Sequence, residues 1–320
     1  MRVARIVAPG ELRFEVVPPP EPAPDQVRFR VEGCGVESAT LAAWSGCGSQ
    51  RYPLAPGEPG CEAWGVVDAI GGAVRDVCVG ERIAAISERG YAEMDVVDAG
   101  ALLRLPASLR GVPFPGRTLA GALSAIERSR LGAGQTVAVV GIGFLGAMLV
   151  RLATLAGARV IALSRRPFSL SLGREMGAVS TVDLRDPERA VAEVKELTQG
   201  ELCDIAIEAT ARQPALTLAG RLVTARGKLV IAVRHRDGKR EVDLDSWGKL
   251  GLDVINADDA RLRVQVAGMK AALAAVQAEQ LDPRPLYTHL YGLNDLVEAL
   301  DTAQQRPIGF IKALIQPQLA

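Results

Sequence analysis

An excess of charge of either sign is missing from this chain: 37 Lys and Arg balance 37 Asp and Glu. With no basic tail or patch, a nucleic-acid partner is not expected. Aromatic residues make up only 4%, too few for the stacking platforms that hold single strands. Histidine occurs twice, at His235 and His289, which leaves little for histidine-based metal or acid–base chemistry. The five cysteines are odd in number and scattered, so no disulfide framework is expected. Long apolar runs are absent as well. The most apolar stretch, residues 136–150, is broken by glycines and stops at Arg151, short of the roughly 20 residues that span a bilayer. The opening Met1-Arg2-Val3-Ala4-Arg5-Ile6-Val7 reads as a strand and not as a signal peptide. These absences lead to the expectation of a cytoplasmic protein without membrane or nucleic-acid partners.

What remains is ordinary globular composition, 48% hydrophobic over 320 residues, enough for two compact domains. The first hundred residues carry short β-branched runs, 13–17, 26–31 and 65–70, between Pro and Gly punctuation. That spacing predicts an antiparallel, barrel-like domain over residues 1–114. Near Pro115 the rhythm changes. Apolar strand-like runs at 136–140, 159–163, 180–182, 204–208, 228–233 and 253–257 alternate with helix-length segments at 144–156, 167–176, 187–198 and 212–224. Such alternation predicts a doubly wound parallel sheet, an α/β Rossmann domain over 115–257. The tail, 258–320, holds helices near 264–280 and 293–305 and a strand at 310–315. It is too small to fold alone and is expected to rejoin the first domain.

Gly141-Ile142-Gly143-Phe144-Leu145-Gly146 follows the first strand of that alternation and opens its first helix. In that context the pattern is a dinucleotide fingerprint: a tight turn at Gly141, pyrophosphate approach at Gly143, close packing at Gly146. Phe144 and Leu145 begin the helix whose free N–H groups face the phosphates. After the second strand, where NAD-binding proteins place Asp or Glu, this chain has Ser164-Arg165-Arg166. No carboxylate repels a 2′-phosphate there, and a hydroxyl with two guanidiniums offers it charge-assisted hydrogen bonds. The residues point to NADPH over NADH; the alternative is that both arginines are solvated residues at a helix start.

Together with Pro59-Gly60-Cys61-Glu62-Ala63-Trp64-Gly65-Val66-Val67, Gly80-Glu81-Arg82-Ile83, Gly90-Tyr91-Ala92-Glu93, residues 204–210 and Gly309-Phe310-Ile311-Lys312, the chain resembles the medium-chain dehydrogenase/reductase superfamily, zinc-type alcohol dehydrogenase-like. The resemblance covers nearly the whole length and implies a Rossmann sheet inserted in a GroES-like catalytic domain. It implies cofactor contacts at Thr210, Val233 and Lys312, and a homodimer or homotetramer built on the last Rossmann strand. It also implies a metal-site position that this chain fills in a divergent way. Cys34 matches the first zinc ligand; Cys61 stands where the second is usually histidine, followed by Glu62. Arg117 occupies the place of the third ligand, and Val36 that of the proton-relaying hydroxyl. The lobe that holds a structural zinc is absent.

Cys34, Cys61 and Glu62 are therefore the candidate catalytic and metal-binding set, with Cys47 a remote fourth. The competing readings are small buried hydrophobes or a reversible disulfide. Ser38 and Thr40 are the hydroxyls nearest the missing relay. Trp44 is assigned to the substrate pocket or to exposed packing, Tyr91 to structure, His235 to a solvated loop, and Cys78 and Cys203 to the core. The function expected is NADPH-dependent hydride transfer between the nicotinamide and a carbonyl or alcohol. The alternatives are a zinc-independent enone or quinone reductase, or a non-catalytic NADPH-binding redox sensor.

Overall fold

The structure is a computed structural model that describes all residues except 48, 49, 237 and 320. In chain order the strands and helices are β1 (Arg2–Ala8), β2 (Glu11–Val16), β3 (Gln26–Gly35), α1 (Ser38–Trp44), β4 (Ala63–Ile70), β5 (Arg82–Ala85), β6 (Met94–Asp98), β7 (Leu102–Arg104) and α2 (Gly116–Ser129). There follow β8 (Thr136–Val140), α3 (Phe144–Leu155), β9 (Arg159–Ser164), α4 (Pro167–Glu175), β10 (Ser180–Asp183), α5 (Pro187–Leu197), β11 (Cys203–Glu208), α6 (Gln213–Arg221), β12 (Val223–Ile231), α7 (Leu244–Leu250) and β13 (Asp253–Asn256). The chain closes with α8 (Leu262–Gln277), β14 (His289–Tyr291), α9 (Leu296–Gln305) and β15 (Ala313–Ile315).

Two compact units result. One comprises Met1–Ala120, Arg261–Ala274 and Asp282–Ala320; the other comprises Gly121–Ala260 and Ala275–Leu281. The seams fall inside α2 and α8, not at Pro115 and Ala257. Their physical cause is close packing on the first unit's side: a Cβ on Gly116 would meet Met269, and one on Gly268 would meet Ala120. α8 also stops earlier than its apolar spacing suggests, and Glu279 just beyond it takes a left-handed φ of 57°.

In the first unit, among the described residues, the strands run in the order β14-β15-β3-β4-β5-β7, with β6 on the far side of β3. β1 and β2 form a separate antiparallel pair. Alternation along β3 sends Val27, Phe29 and Val31 into the core, as a half-buried antiparallel strand requires. The β3–β4 register shifts between Val31 and Gly33; such a bulge re-aims the residues that follow it, here Cys34 and Gly35.

In the second unit the sheet order is β10-β9-β8-β11-β12-β13, all parallel. Val137 to Val140 are fully buried, the mark of a central strand covered on both faces. The order reverses between β8 and β11, which places a ligand crevice at the carboxyl ends of those strands. α5 shows how local chemistry sets the boundaries: Asp186 accepts from Glu188 N and Arg189 N, with Pro187 at the first helical position.

Candidate active site

Three segments of the first unit converge on one buried cluster. The end of β3 supplies Cys34, the segment entering β4 supplies Cys61 and Glu62, and the segment entering β15 supplies Lys312. Lys312 Nζ donates to Glu62 Oε2 at 2.5 Å. Glu62 is 0% exposed and Lys312 4%, so a complete ion pair is held away from water. Glu62 Oε1 has no hydrogen-bond partner among the described residues. Residue 35 must be glycine beside this pair, since a Cβ there would sit 2.1 Å from Glu62 Oε2. Burial pushes the Glu62 carboxyl above the ordinary carboxylate range, opposed by the positive charge of Lys312 and reinforced by Glu37, with Arg117 pulling it back.

Cys34 is buried, and burial pushes its thiol well above the usual value; the Glu62 backbone N–H acts the other way, and the neighbouring Glu62 and Cys61 raise it further. Cys61 is half-buried, its thiol directed to Pro59 O at 3.5 Å. In front of this layer Arg117 Nη1 donates to Glu37 Oε1 at 2.9 Å, with the side chains 19% and 14% exposed.

Of the two candidate relay hydroxyls, Ser38 is exposed and Thr40 is buried. Thr40 Oγ1 lies 3.2 Å from Pro59 O and 2.9 Å from Tyr91 Oη. Tyr91 in turn donates to Gly35 O at 3.2 Å. These hydroxyls lace α1 to the two segments that carry Cys34 and Cys61. Trp44 is buried on α1, its Nε1–H given to Asp301 Oδ1 at 3.0 Å, so it is an anchor between α1 and α9 and not an exposed residue.

The donor set does not fit a zinc ion. Among the described residues, no group of three His, Cys, Asp or Glu side chains is placed to hold a metal, so Cys34, Cys61 and Glu62 are neighbours without forming such a group. Two cations stand at the carboxylate instead: Lys312 takes one Glu62 oxygen, and Arg117 adds a second positive charge nearby. A structural zinc site needs four N or S donors and a catalytic one three. Cys47, the fourth candidate, is exposed.

Other expectations are also revised here. Lys312, expected near the cofactor phosphates by the resemblance or else as a surface lysine, instead has its ammonium buried against Glu62. Cys78, expected in the core, is exposed next to the buried Val77, because the strand pattern has already given way to the turn before Gly80. Cys203 is buried, with burial pushing its thiol up to about 12.

In the second unit the glycine turn joins β8 to α3. Gly141 adopts φ 101°, open to glycine and costly for other residues. A Cβ on Gly146 would meet Gly141 O at 2.0 Å, whereas one on Gly143 meets nothing within 4 Å. The turn is thus closed on its protein side and open where a phosphate approaches. Gly143 has no side chain to cap α3, and a helix N-terminus of this kind suits an anion. At the end of β9, Ser164 Oγ accepts from Arg166 N at 3.3 Å, and the Arg165 side chain is exposed.

Sequence reasoning overlooked Glu208. It is buried at the carboxyl end of β11, where Oε1 accepts from Thr210 N, Thr210 Oγ1 and Ala211 N. His235 Nε2 lies 3.0 Å from Glu208 Oε2, and Arg240 Nε donates to His235 Nδ1 at 2.7 Å. With Nδ1 accepting, His235 is the Nε2–H tautomer that donates to the carboxylate. The imidazole is therefore a fixed bridge, not a solvated loop residue. Val233, His235, Arg240 and Trp247 border a cavity of about 430 Å³. The available signal was position: a carboxylate at the end of a central parallel strand faces the ligand crevice.

Residues 145–246 match the family described as zinc-binding dehydrogenase. The chain is 30% identical over 204 residues to an alcohol dehydrogenase of Aspergillus sp. (strain MF297-2), covering 54% of this chain and 59% of that relative's length. It is 28% identical over 269 residues to the (R,R)-butanediol dehydrogenase of Bacillus subtilis (strain 168), covering 72% and 77%. A solved structure of a putative zinc-binding dehydrogenase from Sinorhizobium meliloti 1021 bound to NADP superposes with a TM-score of 0.84 at 25% identity, over 99% of both chains. Fold, glycine turn and matches agree in a likeness to zinc-binding dehydrogenases of the medium-chain type, while the chain spans less than two thirds of the length of the first curated relatives it matches. No helix among the described residues is long and apolar enough to cross a membrane.

Proposed function

We propose that this protein is an NADPH-dependent oxidoreductase that moves a hydride between the nicotinamide and a carbonyl or alcohol, acting in the cytoplasm as a homodimer or homotetramer. The observation that carries the reading is the glycine turn from β8 to α3, open at Gly143, combined with Ser164, Arg165 and Arg166 in place of a carboxylate after β9. Bound NADPH supplies the hydride chemistry. The chain's own part is to cradle the pyrophosphate on the α3 N–H groups and to hold the 2′-phosphate with the Ser164 hydroxyl and two guanidiniums. Thr210 and Val233 follow the ends of β11 and β12 and line the nicotinamide end of the crevice in this reading. The open edge of β13, with Val254 exposed, supports pairing with a second copy.

Fluorescence titration of NADPH and NADH tests the cofactor. Two charge-assisted hydrogen bonds of about 1.5–3 kcal/mol each predict NADPH tighter by at least about 100-fold. Arg165→Ala with Arg166→Ala should remove most of that margin and leave NADH binding unchanged. Equal affinity for the two dinucleotides in the unaltered protein refutes the NADPH assignment. A redox sensor binds NADPH equally well but does not turn it over, so turnover separates that alternative.

A further inference from the structure

We infer that Glu208 is a positioning residue for the dinucleotide: with His235 and Arg240 behind it, its carboxylate fixes Thr210 and Ala211 against the glycine turn and thereby sets NADPH affinity. The inference rests on the proposed dinucleotide site and names the residues that keep its wall in place.

All of these residues lie in the second unit. A Cβ on Gly141 would meet Thr210 Cγ2 at 2.1 Å, so the Thr210 methyl packs directly on the first residue of the turn. Close packing of this kind passes any drift of Thr210 on to the turn. The segment that carries Thr210 does not hold its shape unaided. Ala211 sits at φ 61°, a left-handed conformation unfavourable for a residue with a Cβ. Glu208 Oε1 holds this bend by accepting from Thr210 N at 2.6 Å, Thr210 Oγ1 at 2.6 Å and Ala211 N at 2.9 Å. On the near side Ala209 N donates to Val140 O, the last residue of β8, at 3.0 Å.

The second carboxylate oxygen is held as firmly. His235 Nε2–H donates to Oε2 at 3.0 Å, and Arg240 Nε, at 2.7 Å from Nδ1, restricts the imidazole to that tautomer. Arg240 Nη2 also donates to Ala211 O at 3.0 Å, so one guanidinium grips the strained residue from its other side. A line of contacts thus runs from Arg240 through His235 and Glu208 to Thr210 and ends on Gly141. It ties the segments that follow β11 and β12 to the turn that follows β8, at the carboxyl ends of three adjacent strands. Hydrogen bonds to a charged acceptor are short and strong, and Glu208 is 0% exposed, so water does not compete for them. Glu208 acts through Thr210 and has no part in the transfer itself.

The test uses the whole chain with isotopically labelled histidine nitrogens, read by NMR, and fluorescence titration of NADPH. Histidine occurs only twice, so His289→Gln leaves the signals of His235, which should show the Nε2–H tautomer. In Glu208→Gln the amide oxygen keeps the Thr210 and Ala211 donors, and the amide NH2 then faces His235 Nε2–H, donor against donor. The NADPH Kd should rise at least about tenfold, with circular dichroism unchanged. Adding Arg240→Leu frees Nδ1, so the imidazole takes the Nδ1–H tautomer and its Nε2 accepts from the amide. The double variant should show that tautomer and bind NADPH at least about twofold more tightly than Glu208→Gln alone. Were the contacts only a structural staple, the second substitution would add to the damage of the first. Unchanged NADPH affinity in Glu208→Gln, or a double variant no tighter than the single one, overturns the inference and leaves the dinucleotide reading standing. If Glu208→Gln does not fold, Arg240→Leu alone decides. A lost tautomer preference with Kd raised about threefold supports the inference, and an unchanged Kd overturns it. If the unaltered protein does not bind NADPH, both fall.

Discussion

Replacing Lys312 by methionine keeps the length of the buried stem and removes only its charge. At 2.5 Å and an effective dielectric of about 20, the gross attraction to Glu62 is about 6–7 kcal/mol. The net loss is smaller, because a buried carboxylate without its partner takes up a proton instead of staying charged. Removing one member of a buried pair costs about 3–5 kcal/mol, a fall in Tm of about 6–20 °C for a unit of this size. The Glu62 carboxyl is already raised by burial, and loss of Lys312 raises it further. A group raised in the folded state lends stability below its unfolded value and loses it as pH rises through the folded one. The deficit of Lys312→Met should therefore grow from acid to neutral pH. Adding Glu62→Gln leaves no buried charge and should recover at least half of the loss. Calorimetry at two pH values reads all of this. A Tm within about 1 °C of the unaltered protein, or a double variant no better than the single one, refutes the assignment of a desolvated ion pair.

Other outcomes follow from single contacts. Gly146→Ala places a methyl 2.0 Å from Gly141 O; the turn must open, and NADPH affinity should drop at least about tenfold in a fluorescence titration. Asp95 is buried and raised by that burial, although Ser87 Oγ donates to it at 2.5 Å. Its contribution is present below about pH 3.9 and is lost as pH rises through its folded value, so Asp95→Asn should flatten that part of the stability–pH curve. Trp44→Phe deletes the bond to Asp301 and should cost about 1–2 kcal/mol in urea unfolding while leaving NADPH affinity unchanged.

Much of the second unit was legible because its signals are local. The run 136–140 is apolar at every position but the first and ends on Gly141, and β8 has those bounds. A parallel strand covered on both faces needs no partner information to be read. In the first unit, by contrast, β3 runs four residues past the expected 26–31, because pairing with β4 and β15 extends it across the bulge. The site was only half legible for a related reason. Cys34, Cys61 and Glu62 were marked by motif, but the ion pair joins residues 250 apart, and no periodicity links Glu62 to Lys312. Likewise His235 looked like a loop residue among arginines until the fold brought it to Glu208.

The central claim is that a hydride leaves NADPH for a substrate carbon. The most direct measurement is turnover with NADPH deuterated at the transferring position of the nicotinamide, with mass spectrometry of the alcohols formed from a panel of aldehydes and ketones. The account predicts that the deuterium appears on the former carbonyl carbon of the product in step with NADPH oxidation. Tight NADPH binding with no oxidation by any carbonyl tested, or oxidation that leaves no deuterium in the alcohol product, would contradict it.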